Sequence, residues 1–194
     1  MDLRNYGIVT AAYWGFTLTD GALRMLVLLH FHTLGYNPVQ LAFLFLFYEF
    51  CGVLTNLLGG WIGSRLGLKI TLYAGLATQV VALTMLSFVQ PNWVPMMSVA
   101  YVMAAQALSG IAKDLTKMSS KSAVKLLVPK PTEDPSDSER SLFKWVAILT
   151  GSKNALKGVG FLLGGILLGW LGFAASLWFM ASALSLVLIV SVIW

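Results

Sequence analysis

Four ionisable side chains interrupt the apolar stretch "TLTDGALRMLVLLHFH", residues 17–32: Asp20, Arg24, His30 and His32. Asp20 and Arg24 are one helical turn apart, so they share a helix face and can neutralise each other. A second pair with the same spacing, Lys153 and Lys157 in "GSKNALKG", is of like sign and has no acid within a turn of either. In apolar surroundings such a pair is stable only if something anionic meets it, whether Glu49, Asp20 or a bound solute. These five residues suit fixed-charge recognition of an anion, with Asp20 and Glu49 holding the cations when it is absent or carrying a coupling proton. A structural role competes with this one: the lysines snorkel to a membrane surface or hold an interhelical salt bridge. Packing or an interfacial position accounts for His30 and His32, with titration near neutral pH as the alternative.

The setting of these charges follows from composition. The chain is 58% hydrophobic and 11% charged, with a mean hydropathy of +0.79, well beyond what a water-facing surface needs. An all-α membrane protein is expected, since each spanning helix needs about 20 apolar residues. Six runs qualify, near 6–34, 38–63, 69–90, 93–113, 144–169 and 172–194. The first is too long for a secretory leader and lacks a small-residue cleavage site. Residues 114–143 form the one sizeable loop, with a proline- and charge-rich flexible linker at 129–140.

Cations set the topology. Ten of the 13 Lys and Arg lie before the first run (Arg4), between the second and third (Arg65, Lys69), or between the fourth and fifth (Lys113, Lys117, Lys121, Lys125, Lys130, Arg140, Lys144). The opposite connections, "GYNPVQ", "QPNWVP" and "WLGF", have none. Both termini are therefore expected in the cytoplasm. The net charge of +5 is topological, and no basic, aromatic-interleaved strand suggests a nucleic-acid partner. Lys113, Lys117, Lys121 and Lys125 form an i, i+4 stripe, suited to anionic headgroups. Alternatively its first turn, Lys113 and Lys117, faces a cytoplasmic cavity and attracts an anion.

The remaining features concern packing. "GVGFLLGGILLGWLG" sets Gly160 against Gly164 and Gly165 against Gly169 at the spacing that lets helices approach closely. Trp61, Trp93, Trp145 and Trp170 fit an interfacial belt, and the lone Cys51 fits helix packing. No nucleophile, base and orienting acid stand at workable spacing, and "HFH" lacks further zinc ligands. No enzyme activity, cofactor or metal is therefore expected.

The stretch "GGWIGSRLGLK" resembles the loop 2-3 signature of the major facilitator superfamily, with Gly60, Arg65, Gly67 and Lys69 matching and Ser64 at the position of the usual acid. That resemblance implies one six-helix, N-terminal half of a transporter, with the substrate site between it and a missing C-terminal half. The runs "NYGIVTAAYWGFTLTDGALRMLVLLHFHTLGY", "LAFLFLFYEFCGVLTNLLGGW", "AAQALSGIAKDLTKMSSKSAVKLL" and "LFKWVAILTGSKNALKGVGF" resemble the organoarsenical efflux permeases of bacterial arsenic-resistance operons. By that resemblance the chain is an inner-membrane antiporter exporting 1-arseno-3-phosphoglycerate, with a functional link to glyceraldehyde-3-phosphate dehydrogenase, which makes the adduct. The superfamily's cavity-lining helices are the first, second, fourth and fifth of this half. Arg24 is then expected to clamp one oxyanion bidentately, Lys153 and Lys157 to share another, and Lys113 and Lys117 to recruit the anion. Other organic phosphates would use the same cations, and a non-transporting membrane module would keep only the topology.

Overall fold

The computed structural model describes the backbone of residues 3–90, 92–127 and 135–193, and the side chains of 7–90, 92–123 and 143–193. Among the described residues seven helices follow one another: α1 (Leu3–Thr33), α2 (Pro38–Leu44), α3 (Leu46–Leu66), α4 (Leu68–Ser87), α5 (Pro95–Leu127), α6 (Pro135–Leu171) and α7 (Phe173–Ile193). No strand occurs among the described residues. A backbone in hydrocarbon must satisfy its own hydrogen bonds, and helices do so within one segment.

Local chemistry sets the joints. Asn37 caps α2 through a reciprocal box: its side chain accepts from the Gln40 N–H at 2.9 Å, and the Gln40 side chain accepts from the Asn37 N–H at 2.9 Å. α2 and α3 form one span, Pro38–Leu66, broken only at Phe45, whose N–H turns back to Ala42 and Phe43. Single glycines with positive φ, Gly67 at +81° and Gly172 at +77°, turn α3 into α4 and α6 into α7. A side chain at either would be strained there.

Among the described residues five segments are long and apolar enough to cross a membrane: Pro38–Leu66, Leu68–Ser87, Pro95–Ala123, Phe143–Leu171 and Phe173–Ile193. α1 has the length, 31 residues, but its polar residues keep it out of that set. It nonetheless packs in the same bundle, against α6 most extensively and also against α5 and α7. The bundle is completed by α5 on α3 and α4, and by α4 on α7. α5 and α6 touch only sparsely, so the charged faces of these two helices are not sealed against each other.

Close approach depends on particular glycines. A Cβ at Gly160 would lie 2.7 Å from the Leu18 carbonyl oxygen, and one at Gly21 would lie 2.9 Å from that of Lys157. Gly164 is pressed onto Ala22 in the same α1–α6 seam, and Gly110 onto the Tyr48 carbonyl where α5 crosses α3. Gly165 and Gly169 take no such part: the first meets only Leu29 Cδ1 at 3.8 Å and the second meets nothing within 4 Å. One of the two glycine pairs read from the sequence therefore serves helix approach.

The chain departs from its expected boundaries at the polar loop. α5 continues through Leu127 and α6 begins at Pro135, so much of the segment 114–143, read as loop, is helix. The linker expected at 129–140 is helical from 135 onward, and its earlier part, 129–134, lies outside the described residues. The lysine stripe lowers the hydropathy of α5's last turns without breaking its period, and charge alone does not end a helix.

Candidate anion-binding site

The charges of α1, α3 and α5 meet in one network. Arg24 Nη2 donates to Glu49 Oε1 at 2.9 Å, and Lys113 Nζ donates to Glu49 Oε2 at 3.1 Å. Lys113 also lies 3.7 Å from Asp114 Oδ2, while Lys117 reaches Asp114 Oδ1 at 3.2 Å. Asp20 and Asp114 are both buried, at 6% and 4% exposure, where a charge left without partners is costly. Gly52 makes room for the Lys113–Asp114 pair, since a Cβ there would lie 2.7 Å from Asp114 Oδ2.

Tyr48 sits at the centre of this network. It is fully buried on α3, and its Oη donates to Asp20 Oδ1 at 2.5 Å. The Arg24 guanidinium carbon is 4.1 Å from its ring centroid and Lys113 Nζ is 4.3 Å away, distances at which a ring's negative face attracts cations. Tyr13 is also buried, has no hydrogen-bond partner for its hydroxyl, and lies within electrostatic reach of Asp20 and Asp114.

The expected Asp20–Arg24 pairing is loose. Arg24 Nε stands 4.0 Å from Asp20 Oδ2, while each residue has a shorter contact elsewhere. Glu49, one of the acids expected to meet the lysines of α6, is instead shared by Arg24 and Lys113. Lys153 and Lys157 make no ion pair among the described residues, although Lys153 lies within electrostatic reach of Lys117, Lys121, Lys157 and Asp20. Lys157 Nζ is 5.7 Å from the Phe161 ring centroid. Among the described residues, cations (Arg24, Lys113, Lys117, Lys121, Lys153, Lys157) thus outnumber the carboxylates of this group (Asp20, Glu49, Asp114).

Two members of the network were not foreseen. Asp114 was hidden between lysines in "AKDLTK", although its spacing to Lys117 is that of a helical ion pair. Tyr48 carried no signal beyond its place beside Glu49. His30, by contrast, has a plain packing role, stacked on Phe173 at 4.0 Å, whereas His32 is exposed.

The loop 2-3 residues lie apart from the charge network. Gly67 supplies the turn, and Ser64 Oγ donates to the Trp61 carbonyl of its own helix at 2.8 Å. The Arg65 guanidinium is 5.7 Å from the Trp61 ring centroid. Gly60, Ser64, Arg65 and Lys69 are exposed at this end of the bundle. Beside them Gly59, Gly63, Met118 and Ser119 line a cleft of about 240 Å³. Residues 8–194 match the family model described as Major Facilitator Superfamily. The chain belongs to that superfamily. A comparison with curated proteins finds no match. As a major facilitator protein it is a multi-pass membrane protein of a family of secondary transporters, which gives the all-helical bundle and its polar inner face a common purpose. In major facilitator terms the network joins the first helix to the second (α2–α3) and the fourth (α5), while Lys153 and Lys157 stand on the fifth (α6).

Proposed function

We propose that this transporter carries a small, multiply charged organic anion, and that the anion is 1-arseno-3-phosphoglycerate, exported for arsenate resistance. The excess of cations over carboxylates among the described residues of the α1–α3–α5–α6 group carries the first part. An unpaired ammonium in a span is costly, at least ~2.5 kcal/mol on insertion scales, so a site in which Lys153 and Lys157 have no carboxylate partner among the described residues is completed by an anion. The resemblance of the α1, α2–α3, α5 and α6 stretches to organoarsenical permeases carries the second.

In this proposal Lys153 and Lys157 share one oxyanion, Arg24 grips the other through its planar fork, and Lys113 and Lys117 recruit the solute from the cytoplasmic side. Glu49 occupies Arg24 and Lys113 in the empty carrier, and Asp20 or Glu49 carries a coupling proton. The partners are the lipid bilayer of the inner membrane, a second six-helix half, and the dehydrogenase that generates the substrate. The test is uptake into everted vesicles of 1-arseno-3-phosphoglycerate, formed in place from arsenate and glyceraldehyde-3-phosphate dehydrogenase, by this chain joined to a C-terminal half. Arsenic accumulation above empty vesicles, competed by 3-phosphoglycerate only at higher concentration, supports the proposal. Uptake of phosphate esters without arsenic overturns the substrate, and uptake of neither overturns anion transport.

A further inference from the structure

Arg24 carries an orphan. Its Nε is buried and has no hydrogen-bond partner, although a carboxylate oxygen, Asp20 Oδ2, stands only 4.0 Å away. A buried donor beside an anion normally closes the gap, because leaving it unpaired costs a hydrogen bond's worth of desolvation. What opposes closure is on the other oxygen of the same carboxylate: Oδ1 takes the Tyr48 hydroxyl at 2.5 Å. Tyr48 is held in turn by its burial between α1 and α5 and by the two cations over its ring. The hydroxyl therefore keeps Asp20 off a guanidinium that would otherwise be chelated between Asp20 and Glu49.

We propose that Tyr48 is the positioning residue of the anion site: its hydroxyl restrains Asp20 so that the Arg24 charge is not neutralised by a second carboxylate and stays available to the transported anion, while its ring holds Arg24 and Lys113 in register. The inference rests on the anion-transport reading for its purpose, but not for its geometry. Three variants separate the parts. Tyr48→Phe keeps the ring and releases Asp20, which closes on Arg24 Nε and neutralises it. Tyr48→Phe/Asp20→Asn removes the competing charge, so Arg24 is free again. Tyr48→Leu loses the ring as well, and Asp20→Asn does not repair it.

Two readouts are made on the full chain. The first is the rate at which phenylglyoxal modifies Arg24, followed by mass spectrometry of its peptide in membranes, which needs no substrate. Slowing in Tyr48→Phe and recovery in Tyr48→Phe/Asp20→Asn are expected; equal rates in all three proteins overturn the inference whatever is transported. The second is the concentration for half-maximal uptake by the chain joined to a C-terminal half. An increase of about tenfold in Tyr48→Phe, the fold-change of one lost charge-assisted contact, is expected. An unchanged value in Tyr48→Phe overturns the inference. Absence of uptake by the parent would count against anion transport instead, and the Arg24 modification rates would still decide the role of Tyr48.

Discussion

Glu49 is the carboxylate most exposed to competition. Its two oxygens hold Arg24 and Lys113 at 2.9 and 3.1 Å, and its side chain is 58% exposed, so an anion arriving at those cations must displace it or share them. Glu49→Gln keeps the shape and removes one negative charge. A bound anion centred about 6 Å from that charge feels roughly 2.8 kcal/mol of repulsion at an effective dielectric constant of about 20. Half-exposure and salt reduce this severalfold, to about 1 kcal/mol. The variant should therefore bind anion about fivefold more tightly and turn over more slowly, because release would leave Arg24 and Lys113 without the carboxylate that bridges them. Steady-state uptake over a range of substrate concentrations measures both, with the half-saturating concentration falling together with the maximal rate. A rise in the half-saturating concentration would refute the competition and show that Glu49 serves to place the cations.

Other substitutions test the packing and the unpaired polar groups. Gly164→Leu, which would drive a side chain into Ala22 of α1, should abolish folded protein on size-exclusion chromatography. Gly169→Ala, with open space around its Cβ, should leave the melting temperature unchanged or raise it, since alanine favours a helix by about 0.5–1 kcal/mol over glycine. Gln106 is fully buried with both amide atoms unpaired, so Gln106→Leu should be neutral or stabilising in detergent unfolding. Ser109→Ala, which strips the hydroxyl that donates to Gln79 Oε1 at 2.7 Å, should instead cost about 1–3 kcal/mol by the same assay.

The spanning helices were legible because hydrocarbon imposes a length of apolar sequence that few other contexts require. α5 overran its expected end because a lysine every fourth residue lowers hydropathy while preserving helical period, so hydropathy and periodicity gave different boundaries. The five charges in the spans announced themselves by their cost. Their pairing did not, because Glu49 had candidate partners on three helices and only the α3–α5 crossing at Gly110 brings Lys113 to it. Tyr48 was illegible for the same reason: its partners are Asp20, Arg24 and Lys113, on helices far apart in sequence, and an aromatic residue in an apolar run has an ordinary packing role. The glycine pattern showed that some helix would be approached closely. Which pair would serve depended on the face that α1 meets.

The central claim is that Lys153 and Lys157 of α6, which have no carboxylate partner among the described residues, bind the transported anion. Its most direct test is Lys153→Gln in this chain joined to a C-terminal half, with expression and helical content matched to the parent, measured by arsenic uptake into everted vesicles. Loss of uptake with the protein intact is the predicted result. Uptake at the parent's rate and half-saturating concentration would contradict the claim.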